Sequence, residues 1–177
     1  MRIIAGQLKG LNFNAPTGHK THPMSDKMRG SLFNILGDLN GLSFLDVFSG
    51  SGALSIEAIS RGAASAEAIE ADSRAAKIIR ANLAKLNLTG HIKVSEVFVG
   101  SWLKTKPNRS FDIILADPPY HDLQTATIAK LVDHINPSGL LVLSWPSSEP
   151  IVEFSGVKII KNKQYGDAQL VFYRKIS

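Results

Sequence analysis

The sequence predicts a doubly wound α/β domain, a mostly parallel sheet with helices on both faces. Three observations predict it. From residue 43 to about residue 145, short apolar runs alternate with amphipathic stretches, the rhythm of strand and covering helix. The first run enters its helix through a Gly-x-Gly loop at 50–52, the turn at which such sheets bind ligands. A later run, FDIILA, is apolar almost throughout, as a strand buried on both faces must be, and leads into Asp117-Pro118-Pro119-Tyr120.

The elements follow in order. RIIAGQLKGLNFNAP places short apolar runs around a Gly-rich turn and predicts a small N-terminal hairpin within residues 1–20. A helix is expected from about Ser25, because Met28, Leu32, Ile35, Leu36 and Leu39 share one face; Asn40-Gly41 ends it. SFLDVF reads as a strand and ALSIEAISRG as a helix. AEAIEAD reads as a strand, and RAAKIIRANLAKL as a helix capped by Ser73. IKVSEVF is a weaker strand. LQTATIAKLVDHI is a helix stopped by Asn136-Pro137, and LLVLSW a strand. VKIIKNK and AQLVFYR around Gly166-Asp167 predict an antiparallel hairpin, which makes one edge of the sheet mixed. No linker or repeat interrupts 1–177, so one domain is expected.

Composition narrows the chemistry. The 177 residues include no cysteine, which removes disulfides, Cys-ligated zinc and a thiol nucleophile. His19, His22, His91, His121 and His134 show no ligand spacing, so no metal site is expected. No apolar run is long enough to span a bilayer, and MRIIAGQLKG has no secretory signal; a cytosolic protein is expected. Net charge is +5, unevenly spread: residues 1–29 and 155–177 each carry +4, and the middle −3. Two basic ends around a near-neutral centre point to a polyanionic partner.

Gly50 and Gly52 allow a tight turn and close approach of a ligand to the backbone. Glu70 follows Gly50 by twenty residues, at the end of the second strand, where an acid can accept hydrogen bonds from ribose hydroxyls; Asp72 is a second candidate. Ser55 stands where a dinucleotide fingerprint wants its third glycine, and no Walker lysine exists. The loop holds no Lys or Arg, and Asp46 precedes it. That is poor for phosphate and good for a cationic ligand; S-adenosylmethionine, with ribose, ammonium and sulfonium, fits. Asp117 to Tyr120 emerges at the same edge of the sheet. Two prolines make a stiff corner without N–H donors, an acceptor cradle for an exocyclic amine, on which Tyr120 can stack a base.

With these residues in place the chain resembles the amino-methyltransferases that carry an (Asp/Asn)-Pro-Pro-(Tyr/Phe) motif. More narrowly it resembles the bacterial RsmD-type family, which methylates the N2 amine of a guanine in 16S ribosomal RNA. The likeness runs through RIIAG, HPMSDKMRGSLFNIL, LDVFSGSGALSIEAISRGA, IEAD, DPPY and YGDAQLVFY. It implies a Rossmann-like methyltransferase fold with a seven-stranded sheet and S-adenosylmethionine as cofactor. Asp46, Phe48, Gly50, Ser51 and Gly52 would line the cofactor's methionine part, and Glu70 its ribose, with Val97 and Phe98 at the adenine. Asp117, Pro118, Pro119 and Tyr120 would hold the target amine. Pro23 to Arg29 would close over both ligands, and Arg2, Lys9, His22, Lys27, Arg29 and Tyr165 would meet RNA. The sequence departs from the family at His22-Pro23-Met24, where Arg-Pro-Thr is usual. The implied substrate is 16S ribosomal RNA or a small-subunit assembly particle, met by a monomer. Two other readings remain open: an adenine-N6 DNA methyltransferase, for which 177 residues leave little room for target readout, and a catalytically idle RNA-binding factor.

Overall fold

A computed structural model describes residues 1–16 and 24–176. His22, and with it Pro23 at the start of the closing segment, lies outside the described residues. The described residues build a seven-stranded sheet from β1 (Ser43–Val47), β2 (Ser65–Ile69), β3 (Ile92–Ser95), β4 (Phe111–Ala116), β5 (Ile135–Pro146), β6 (Val157–Tyr165) and β7 (Ala168–Lys175). Its order is β3-β2-β1-β4-β5-β7-β6. The first five strands run parallel, and β7 pairs antiparallel with both β5 and β6. Order reverses between β1 and β4, so their carboxyl ends flank the crevice where such sheets take ligands.

One face of the sheet is covered by α1 (Asp26–Leu36), α2 (Ala53–Ser60) and α3 (Ser73–Lys85), with Phe33, Ile56 and Ile79 in its core. The other is covered by α4 (Val99–Thr105) and α5 (Thr125–Leu131), with Trp102, Ile128 and Leu131. β4 is apolar because both layers press on it. Its one polar side chain, Asp112, accepts from the Ser43 N–H (2.8 Å) and from Asn136 Nδ2 (2.8 Å).

Several boundaries differ from the sequence reading. α1 stops three residues early because Gly37 (φ +79°) reverses the chain, and Leu39 is buried from the loop beyond. The N-cap of α3 is Asp72, which accepts from the Ala75 N–H at 2.8 Å; Ser73 is the first helical residue. α4 was not anticipated, seven residues being too few for a periodic signal. Asn136-Pro137 does not end a helix before a loop. A short 3-10 turn, Val132–His134, follows α5, and Ile135 already pairs with Phe111. Residues 136–139 then bulge, and pairing resumes at Ile113 with Leu140.

In the N-terminal segment residues 1–3 and 10–13 run antiparallel, joined by the Ile3 N–H to the Leu11 carbonyl (2.9 Å), the Gly10 N–H to the Ile3 carbonyl (2.9 Å) and the Phe13 N–H to the Met1 carbonyl (3.0 Å), with Arg2 and Asn12 as a bridge too short to count as strands. What fixes it is α2. The buried Glu57 carboxylate accepts from the backbone N–H groups of Ile4 (2.9 Å) and Ala5 (3.0 Å), and the Ser60 hydroxyl accepts from that of Leu8 (3.0 Å). Gly6 passes so close that a Cβ would sit 1.8 Å from the Ser60 carbonyl oxygen, at a φ of +85° that side chains avoid. Gly6→Ala therefore forces the segment off α2. The expected result is rapid proteolysis within residues 1–16 and a Tm lowered by several degrees, the sheet remaining folded; an unchanged cleavage pattern would refute this docking.

Candidate active site

Two cavities open at the carboxyl ends of β1, β2 and β4. The larger, about 550 Å³, is lined by Asp46, Ser51, Met28, Tyr120 and Tyr165 among others. The second, about 440 Å³, is lined by Glu70, Asp72, Val97 and Phe98. Phe48, Gly50, Asp117 and Pro119 belong to both, so the two form one bent cleft with the glycine loop and the proline corner at its elbow.

The glycine loop is built by strain and hydrogen bonds. Phe48 itself has φ +65°, and Gly50 and Gly52 have φ +55° and +74°. At Gly52 a Cβ would lie 3.1 Å from Ile79, so glycine here also lets α2 close against α3. Glu70 reaches across from the end of β2. One carboxylate oxygen accepts from the Gly50 N–H (2.7 Å) and the other from the Asp72 N–H (2.8 Å). Each oxygen keeps a lone pair for a diol in the smaller cavity. Asp72 spends one oxygen on capping α3 while lining that cavity. Phe98 projects there, 73% exposed, whereas Glu96 turns away to pair with Arg80 at 2.7 Å.

Asp46 is 1% exposed. Its Oδ2 accepts from the Ser55 N–H (3.1 Å) and hydroxyl (2.7 Å), while Oδ1 is buried without a partner. Burial pushes its pKa up to about 7 against the opposing Ser55 bonds, and the nearby Asp117 and Glu70 charges add to the rise. A buried acid with one unsatisfied oxygen on a cleft wall lacks a cation. An ammonium group satisfies it; a phosphate does not.

Asp117 follows β4, its N–H bonded to the Val47 carbonyl at 3.3 Å. Burial raises its pKa, and the Ser144 hydroxyl partly offsets that. The Pro119 carbonyl is taken by the Asp122 N–H (2.8 Å), whereas among the described residues no donor takes the Pro118 carbonyl. Tyr120 is 40% exposed, with its hydroxyl 3.2 Å from Ser144 Oγ, which holds the ring at the cleft wall. Ser144 escaped the sequence reading; its signal was a polar residue at the carboxyl end of an apolar strand. His121 is exposed yet lines the larger cavity, and Trp145 is core, bonded to the Pro150 carbonyl.

The residues expected at RNA divide. Lys9 and Lys27 are exposed. Arg2 is exposed but paired with Asp26 at 3.1 Å. Tyr165 lines the cleft and bonds through its hydroxyl to Ser31 of α1. Arg29 is a correction: it is 1% exposed and cannot reach a phosphate. Its guanidinium donates to the Arg2 carbonyl (2.8 Å) and Asp26 (2.9 Å), near the Glu57 carboxylate, and ties the N-terminal segment to α1 and α2. Met24, Ser25 and Met28, from the segment expected to close over the ligands, border the cleft.

Known proteins resemble this architecture end to end. The family model described as Conserved hypothetical protein 95 matches residues 1–174. YlbH of Bacillus subtilis is 31% identical over 99% of both chains. The ribosomal RNA small subunit methyltransferase D of Escherichia coli K12 is 37% identical over 76% of this chain and 68% of its own. The solved structure of yhhF from Escherichia coli superposes with a TM-score of 0.87 at 31% identity, covering 100% of this chain and 98% of that one. By the family match over nearly its whole length and by its identity to a methyltransferase D, the chain belongs to the RsmD-type methyltransferase family.

Proposed function

We propose that this protein methylates the exocyclic N2 amine of a guanine in small-subunit ribosomal RNA, with S-adenosylmethionine as donor. The observation that carries the reading is the elbow: Asp117 and Pro119 line both arms of the cleft, so a group held at the proline corner faces whatever the glycine loop holds.

The residues present fit the donor. Asp46 would hold the ammonium group, Glu70 the ribose diol, and Val97 with Phe98 the adenine face. Bound there, S-adenosylmethionine supplies a methyl group on a positively charged sulfur. The protein's own work concerns the amine, whose lone pair is delocalised into the purine. Asp117 and the free Pro118 carbonyl accept its two hydrogens, favour a pyramidal nitrogen and direct the lone pair across the elbow. Tyr120 stacks on the base. Asp117 holds the proton that the nitrogen sheds, or passes it to water; its raised pKa makes it a better acceptor than an ordinary carboxylate. Orientation of this kind can be worth ~7–11 kcal/mol.

Incubation with methyl-labelled S-adenosylmethionine and, in parallel, 16S RNA, assembly particles or DNA, followed by mapping of the labelled nucleotide, tests the reading. Label on guanine N2 is expected. Label on adenine in DNA, or tight RNA binding without label, would replace it with one of the other two readings. Phe98→Ala is expected to weaken cofactor binding about 5- to 150-fold, the value of one stacked base at ~1–3 kcal/mol, measured by calorimetry. Unchanged affinity would move the adenine elsewhere.

A further inference from the structure

The edge strand β6 carries Lys158, Lys161 and Lys163, spaced three and two apart. In a regular strand such spacing splits them between the two faces, since side chains alternate. Pairing shows otherwise. Ile159 lies opposite Tyr173 and Lys161 opposite Phe172, so Ile160 is a bulge that two neighbours skip. Lys158 faces Arg174, Lys161 faces Phe172, Lys163 faces Leu170 and Tyr165 faces Ala168. Directly paired residues point to one side, and Phe172 and Leu170 belong to the core beneath α1, α2 and α3. The bulge thus brings all three lysines onto that face. Ile159, Asn162 and Gln164 are left on the other.

The row leads to the cleft. Lys163 Nζ is 3.2 Å from Ser31 Oγ on α1 and 5.4 Å from the centre of the Tyr165 ring, which lines the larger cavity. Lys27 lies one turn before Ser31 on the same side of α1. No ion pair engages Lys158, Lys161, Lys163 or Lys27 among the described residues, and β6 and β7 hold no acid; Asp167 sits in the turn between them. Lys161 and Lys163 are about 7 Å apart along the strand, comparable with successive phosphates of an extended RNA strand.

We propose that this lysine row is a phosphate track. It grips the RNA backbone flanking the target nucleotide and feeds it past Tyr165 into the cleft. The inference rests on RNA being the substrate. Lysines and a bulge on an edge strand also discourage strand pairing between molecules, but that purpose is served whichever face the lysines take. A track needs one face.

The test measures binding and methylation of 16S RNA by wild type, by two double variants and by Lys161→Gln alone. Lys158→Gln/Lys161→Gln should raise KM for RNA about tenfold and reduce the slope of log affinity against log salt by up to ~1.4–1.8, with kcat at saturating RNA and cofactor affinity retained. Lys161→Gln/Asn162→Lys keeps the net charge and moves it to the opposite face; it should bind RNA as weakly as Lys161→Gln alone. Wild-type KM and salt slope in the first variant, or full recovery in the second, would overturn the track. So would a loss seen with assembly particles and absent with RNA, since the row would then meet protein. Absence of methyl transfer by the wild type would instead sink the functional reading.

Discussion

Asp117→Ala is expected to lower kcat about 10²–10⁴-fold while leaving affinity for cofactor and RNA within a few-fold of wild type. The side chain lies at the elbow common to both cavities, so its loss removes an acceptor for the amine without dismantling either binding arm. Asp117→Asn separates two contributions. Its amide oxygen still accepts one hydrogen, so it should recover a substantial part of the lost rate if orientation dominates. Acidity gives a second readout. Burial raises the Asp117 pKa, so the carboxyl becomes protonated at a higher pH than usual, and the wild-type rate should fall on acidification through that range. The Asn variant cannot titrate there and should lack that limb. Rate profiles of both variants check this; equal loss of RNA binding and turnover in Asp117→Ala would remove the residue from its role.

Asp46→Asn is expected to weaken S-adenosylmethionine binding roughly 10- to 100-fold or more, the worth of one charge-assisted hydrogen bond at ~1.5–3 kcal/mol. It should also stabilise the ligand-free protein. Burial raises the folded-state pKa of Asp46 from 3.8 to about 7. A carboxyl shifted in that direction favours folding fully below pH 3.8, and the contribution is lost as pH rises through about 7. At pH 8 the wild type therefore holds an unpaired buried charge, a penalty on the order of a few kcal/mol. Asparagine has no such charge and its amide oxygen can keep both Ser55 bonds. Its melting temperature should exceed that of wild type by several degrees at pH 8, and the gap should shrink towards pH 4. Melting curves across this range with and without cofactor test both halves. A variant less stable than wild type at pH 8 would contradict the linkage. On the proposed function the site is thus built at the expense of stability, and the cofactor's ammonium group would supply the missing cation.

The parts legible in the sequence are those set by near neighbours along the chain. FDIILA matched β4 residue for residue because burial on both faces writes a continuous apolar run. The hairpin around Gly166-Asp167 followed from alternation and turn chemistry. The glycine loop, Glu70 and Asp117 to Tyr120 were placed at strand ends, and strand ends in a parallel sheet share one edge. Arg29 was misread because a guanidinium has the same formal charge whether it faces phosphate or is enclosed by Asp26, Glu57 and the Arg2 carbonyl. Ser144, the bulge at Ile160 and the short helix α4 left little or no periodic trace.

The sequence by itself therefore determined the order of the seven sheet strands along the chain and of every helix but α4, the glycine loop and the chemical character of the corner, because backbone preference and side-chain periodicity act over a few residues. Only the tertiary structure decided which carboxylate oxygen is buried without a donor, which arginine is buried and which face the β6 lysines share. Those properties depend on desolvation and on pairing register, and both are set by residues far apart in the chain.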